Sequence, residues 1–150
     1  DLEFLLGAYS SERKRFELFV ARWDKTKRRF IWINAHTIPG RSGYIAFIGD
    51  GATNLKRRVE NLVRKRRRQY KGWKYEPFEA LRDICRSANA ADTVGGPVQM
   101  IRLTQYVHCS DVPIFWPDRN GRVAFRGRLL LNNEKIDYEK TFEPDQLKFI

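Results

Sequence analysis

One run constrains this chain more than any other. From Tyr44 to Leu103 it reads as strand, glycine turn, two helices, glycine turn, strand. The first strand, Tyr44-Ile45-Ala46-Phe47-Ile48, stops at Gly49-Asp50-Gly51. From Ala52 the apolar period changes: Leu55, Val59, Leu62 and Val63 recur on one helical face, with Thr53 or Asn54 able to cap it. Gly72 ends or interrupts that segment. A second helix starts near Pro77, which suits a first helical turn, and carries Phe78, Leu81, Ile84 and Cys85. It ends around Ser87-Ala88-Asn89. Asp92-Thr93-Val94-Gly95-Gly96-Pro97 then opens the strand Val98–Leu103.

The flanks read as strands. Phe4–Tyr9 is a short apolar run expected at the end of a buried strand. Phe16 to Trp23 puts Phe16, Leu18 and Val20 on one face and Glu17, Phe19 and Ala21 on the other. A polar turn at Asp24–Lys27 returns it as Arg29–Ile33, and Pro39–Gly43 is a loop. Beyond the helices, Gln105–His108 and Val112–Trp116 are followed by a tight turn at Pro117–Gly121 and a returning strand, Arg122–Arg126. The tail, Asp137 to Ile150, shows no periodicity. Strands, a helical pair, then strands predict an α+β class: layered, largely antiparallel sheets with the helices over one face. The 150 residues suit a single domain, and 42% apolar residues suffice for a core.

The start, Asp1-Leu2-Glu3-Phe4-Leu5, has neither the basic segment of a signal peptide nor an initiator Met, so a beginning inside a longer protein is expected. No run of ~18 apolar residues predicts a membrane span, and a cytoplasmic setting is expected. Cys85 and Cys109 stand at no metal-ligand spacing and read as two buried, reduced thiols. His36 and His108 have no partner at such spacing either. No metal site and no cofactor are predicted. No Ser-His-Asp order, P-loop, dinucleotide fingerprint or paired-His motif occurs.

Net charge is +11, which favours polyanions or acidic surfaces as partners. Between Lys56 and Lys74 stand ten Lys or Arg against one acid, Glu60. The candidate polyanion-binding residues are Arg57, Arg58, Arg64, Lys65, Arg66, Arg67 and Arg68, with Tyr70 and Trp73 as stacking platforms. A solvated face and a docking surface for an acidic partner subunit are the alternatives. Asp50 lies between two glycines before a helix N-terminus, where the helix dipole favours an acid. Asp92 reads as a turn acid bonded to nearby backbone N–H groups.

Several stretches resemble a known family. Leu5-Leu6-Gly7-Ala8-Tyr9, followed by the Phe16–Trp23 strand, looks like the middle strands of proteasome-like N-terminal-nucleophile (Ntn) hydrolases. Ile45–Ala52 is similar to that family's strand ending in a Gly-Ser-Gly turn before its third helix. Ala91–Val98 looks like the Asp-x-x-Ser-Gly-Gly turn after its fourth helix. Gly95–Gln99, Phe115-Trp116-Pro117-Asp118 and Gly127–Leu131 also resemble uncharacterised bacterial Ntn-hydrolase-like proteins. The resemblance covers nearly the whole chain and implies part of an αββα sandwich, its C-terminal portion. It makes Asp92 a catalytic helper. Active members use a Thr, Ser or Cys at the mature N-terminus, activated by its own amine. Here that position is Asp1, Asp50 replaces the first turn's serine, and the second turn's serine falls at or near Gly95. The expected role is therefore a structural or assembly portion. Any hydrolysis would be of amides, by a Thr, Ser or Cys nucleophile outside this chain. A homo-oligomer, or a partner chain that supplies the rest of the domain, is expected.

Two alternatives stand beside it. One is a nucleic-acid-binding module using the basic helix, residues 55–74. The other is a degenerate GIY-YIG-like nuclease, echoed by Tyr44, Phe47-Ile48-Gly49 and Asn54-Leu55-Lys56-Arg57-Arg58.

Overall fold

The computed structural model describes residues 2–37, 44–66, 75–89, 92–106, 108–138 and 140–150. Three antiparallel strands open it: β1 (Glu3–Ser10), β2 (Arg15–Asp24) and β3 (Arg29–Asn34), in that order across the sheet. The β2–β3 turn is fixed by Asp24, whose Oδ1 accepts from the N–H groups of Thr26 and Lys27 at 2.9 and 3.0 Å. The register places Leu5, Val20 and Ile33 side by side on one face. Phe4, Ala21 and Trp32 share the other.

Two short strands, β4 (His36–Thr37) and β5 (Tyr44–Ile45), pair before the helices. Helix α1 spans Ala52–Arg66 and helix α2 spans Glu76–Ser87, with Pro77 in its first turn and Glu76 and Glu79 favourably placed near its N-terminus. A hairpin follows, β6 (Met100–Leu103) with β7 (Cys109–Val112). A five-stranded sheet completes the fold from β8 (Ile114–Trp116), β9 (Arg122–Phe125), β10 (Arg128–Leu129), β11 (Phe142–Glu143) and β12 (Lys148–Phe149). Its order is β10-β9-β8-β11-β12, antiparallel except where β11 runs parallel to β8.

The core lies between α2 and this second sheet. Phe142, Ile114 and Val112 are buried against Tyr75, Phe78, Met100 and Leu147. Val98, Trp116 and Ala124 are buried against Phe78, Leu81, Cys85 and Leu129. The Phe78, Leu81, Cys85 stripe thus faces the sheet, and α1 packs on α2. Phe142, fully buried, meets the rings of Tyr75, Phe78 and Phe149 at 5.0–5.3 Å. Burying one such ring contributes roughly 1.5–3 kcal/mol. Polar clasps finish the docking. The Arg82 side chain bonds the Pro144 carbonyl at 2.5 Å, and Arg86 Nη1 bonds Asp145 Oδ1 at 2.7 Å. Arg86 also donates to the Pro117 carbonyl.

The mixed α+β class and the helical pair match the sequence reading. Several details differ from it. Only Tyr44–Ile45 of the expected Tyr44–Ile48 strand is paired, because its partner β4 is two residues long. Only Met100–Leu103 of the Val98–Leu103 run is strand; Val98 is instead drawn into the core under α2. The β1 run, expected to be buried, exposes Phe4, Leu5 and Leu6, because its side chains point to the two faces of the sheet and stay uncovered among the described residues, where β1 is an edge strand beside β2. Cys109 is exposed rather than buried, because it sits opposite Leu103 at the turn end of a hairpin; Cys85 is half-buried. The unpatterned tail supplies Phe142, the most buried aromatic side chain of the core.

Candidate functional site

The two glycine turns flank one cleft. Gly49 and Gly96 adopt φ of 85° and 81°, a region open to glycine at little cost. A Cβ on Gly51 would sit 3.3 Å from Val94 Cγ2, and one on Gly95 would sit 3.2 Å from Ala88 Cβ. Bare glycines therefore let the turns pack closely. Between them lies a shallow cleft of about 240 Å³, lined among others by Asp50, Asn54, Arg58, Ser87, Asp92 and Thr93. The fold has brought Asp50 and Asp92, far apart in the chain, to one place.

Asp92 is committed to its turn. Its Oδ2 accepts from the Asn89 N–H at 2.7 Å, and its own N–H bonds the Asn89 carbonyl at 3.0 Å. The first turn is tied to the β1 strand. Glu3 accepts from Arg22 Nε at 2.6 Å and from the Gly49 N–H at 3.3 Å. The Arg22 bond, helped by Gly49, holds the Glu3 carboxyl below the usual carboxylate range. Cleft chemistry is mixed, two carboxylates beside one guanidinium. Among the described residues no group of three His, Cys, Asp or Glu side chains could hold a metal ion. For the nuclease-like echo, Phe47 is half-buried while Arg57 and Arg58 are exposed.

The basic candidates separate. Arg57, Arg58, Arg64 and Lys65 are exposed on α1, and none makes an ion pair among the described residues. Arg66 is occupied. Its Nη2 bonds Glu79 Oε1 at 3.0 Å, while Nη1 lies 2.8 Å from Glu79 Oε2 and 3.8 Å from Glu76 Oε1. The 2.8 Å contact is an ion pair without hydrogen-bond geometry. Arg66 fastens α1 to α2 and is removed from the free basic face. The candidates Arg67, Arg68 and Trp73 lie outside the described residues.

The sequence reading missed one surface. The β1–β3 sheet exposes large apolar side chains on both faces: Phe4, Leu6, Phe30 and Trp32 on one, Leu5 and Phe16 on the other. Trp32 is the extreme, at 64% exposure. The signal was present, for β1 and β3 are apolar at both odd and even positions, as in a strand covered on both sides. No family model, curated protein or solved structure matches this chain.

Proposed function

We propose that this chain is a structural and assembly portion of a proteasome-like Ntn-hydrolase-family protein, with any amide-hydrolysing nucleophile supplied from outside it. The observation that carries the reading is the β1–β3 sheet. A sheet apolar on both faces is built to lie between two layers, and a soluble monomer rarely leaves so much apolar surface bare. A sandwich of the αββα kind supplies those layers: helices over one face, a second sheet over the other. The helical pair between two close-packed glycine turns fits the same architecture. In the purified chain the apolar sheet is covered by a second copy. Its charged members favour this, because Glu3 and Arg22 neutralise each other across β1 and β2 at 2.6 Å.

Light scattering on the eluting protein tests this. The native chain should run as an assembly larger than 17.8 kDa. Leu6→Lys combined with Trp32→Lys should give a monomer with an unchanged circular dichroism spectrum. A native chain that stays monomeric at high concentration would sink the reading.

A further inference from the structure

The free face of α1 is an ordered array. At about 100° per residue, Asn54, Arg57, Arg58, Asn61, Arg64 and Lys65 fall in a single stripe. All six side chains are exposed, and the stripe lies opposite Leu55, Val59 and Leu62. Arg57 and Arg64 form one flank, Arg58 and Lys65 the other. Asn54 and Asn61 run between them. Each flank repeats after seven residues, about 10 Å along the axis at 1.5 Å per residue. Among the described residues none of the four cations makes an ion pair, although Arg58 shares the cleft with Asp50 and Asp92; the neighbouring Arg66 is taken up by Glu79. Asn54 Oδ1 meets Arg57 Nη2 only at 3.5 Å, so its amide is open to a better partner.

We propose that α1 binds duplex DNA in the major groove. The two cationic flanks contact phosphates on opposite strands, and Asn54 and Asn61 face base edges. The groove of B-form DNA, about 12 Å wide, admits one α-helix, and an asparagine amide pairs with the N6 and N7 edge of adenine. An acidic protein surface would match the cations but gives the asparagine ridge no task. Duplex RNA has a major groove too deep and narrow for side chains to read. This inference concerns a different face from the β1–β3 sheet and stands or falls without it.

The test is fluorescence anisotropy with a labelled short duplex DNA, the matching duplex RNA and the single strand, at two salt concentrations. A randomised duplex pool, selected and sequenced, reads base preference. Duplex DNA should bind most tightly. Four phosphate contacts at a slope of about 0.9 each predict a roughly fifty-fold loss over a threefold rise in salt. Arg57→Glu with Arg64→Glu should weaken binding more than ten-fold, and so, less severely, should Arg58→Gln with Lys65→Gln. Asn54→Ala with Asn61→Ala should keep the salt slope and flatten the selected base preference. Circular dichroism shows that each variant is folded. Absence of duplex DNA binding at low salt would overturn the proposal. So would tighter binding of RNA or single strands, full affinity in both charge variants, or a base preference that is absent or survives the asparagine double variant.

Discussion

Glu134 shows how a half-buried surface carboxylate can be strongly held. Its two oxygens accept from Arg128 Nη1 and Nη2 at 2.7 and 2.6 Å, and Oε2 also accepts from the Leu131 N–H at 2.7 Å. The Arg128 bond first, then the Leu131 amide, pull its pKa down to about 2. Because the folded value is depressed, the pair's contribution to stability is complete above the ordinary Glu range. It is lost as pH falls through about 2. A carbon-detected NMR titration should therefore place the Glu134 midpoint near 2 in the native chain. Arg128→Gln should return it toward about 4.3, the value of an unperturbed glutamate. A native midpoint already in the ordinary range would contradict the bidentate geometry. By contrast Glu143 is buried, and it accepts from the Asp145 and Gln146 N–H groups at 2.9 and 2.7 Å. That carboxylate shapes the turn between β11 and β12.

Along α1, identical residue types have different jobs according to helical phase. Arg64 projects to solvent, while Arg66, two residues on, reaches the α2 carboxylates. Arg66→Ala should lower stability in urea unfolding by about 1–2 kcal/mol, because it leaves the mostly buried Glu79 without its cation. Arg64→Ala should stay within ~0.5 kcal/mol. Equal effects would show that the two helices are not joined in this way. The sequence carried the clue: Arg66 follows Val59 by seven residues, Leu62 by four and Val63 by three, so it shares their inward face. Within the run Arg64 to Arg68, charge alone hides that distinction. The β11 strand was not legible at all. Two residues are too few to show alternation, and Phe142 is buried by pairing with distant Ile114 and packing under Phe78.

Across the whole molecule, local signals read well and long-range ones poorly. Both glycine turns, both helices and the β2–β3 hairpin were legible because each rests on neighbours in the chain: a period of 3.6, a proline at the helix start, an Asp24 turn. The cleft joining Asp50 to Asp92 was not, since it depends on how α1 docks on α2. Nor was the exposure of β1, which depends on what flanks it. The central claim is that the β1–β3 sheet is an assembly face. Among the described residues β1 is an edge strand, apolar on both faces and charged only at Glu3. Such an edge invites pairing with another strand. Hydrogen–deuterium exchange of the peptide covering residues 3–10, followed from low to high protein concentration, tests it most directly. The account predicts β1 protection that rises with concentration while protection of α2 stays constant. Fast exchange in β1 that does not change with concentration would contradict it.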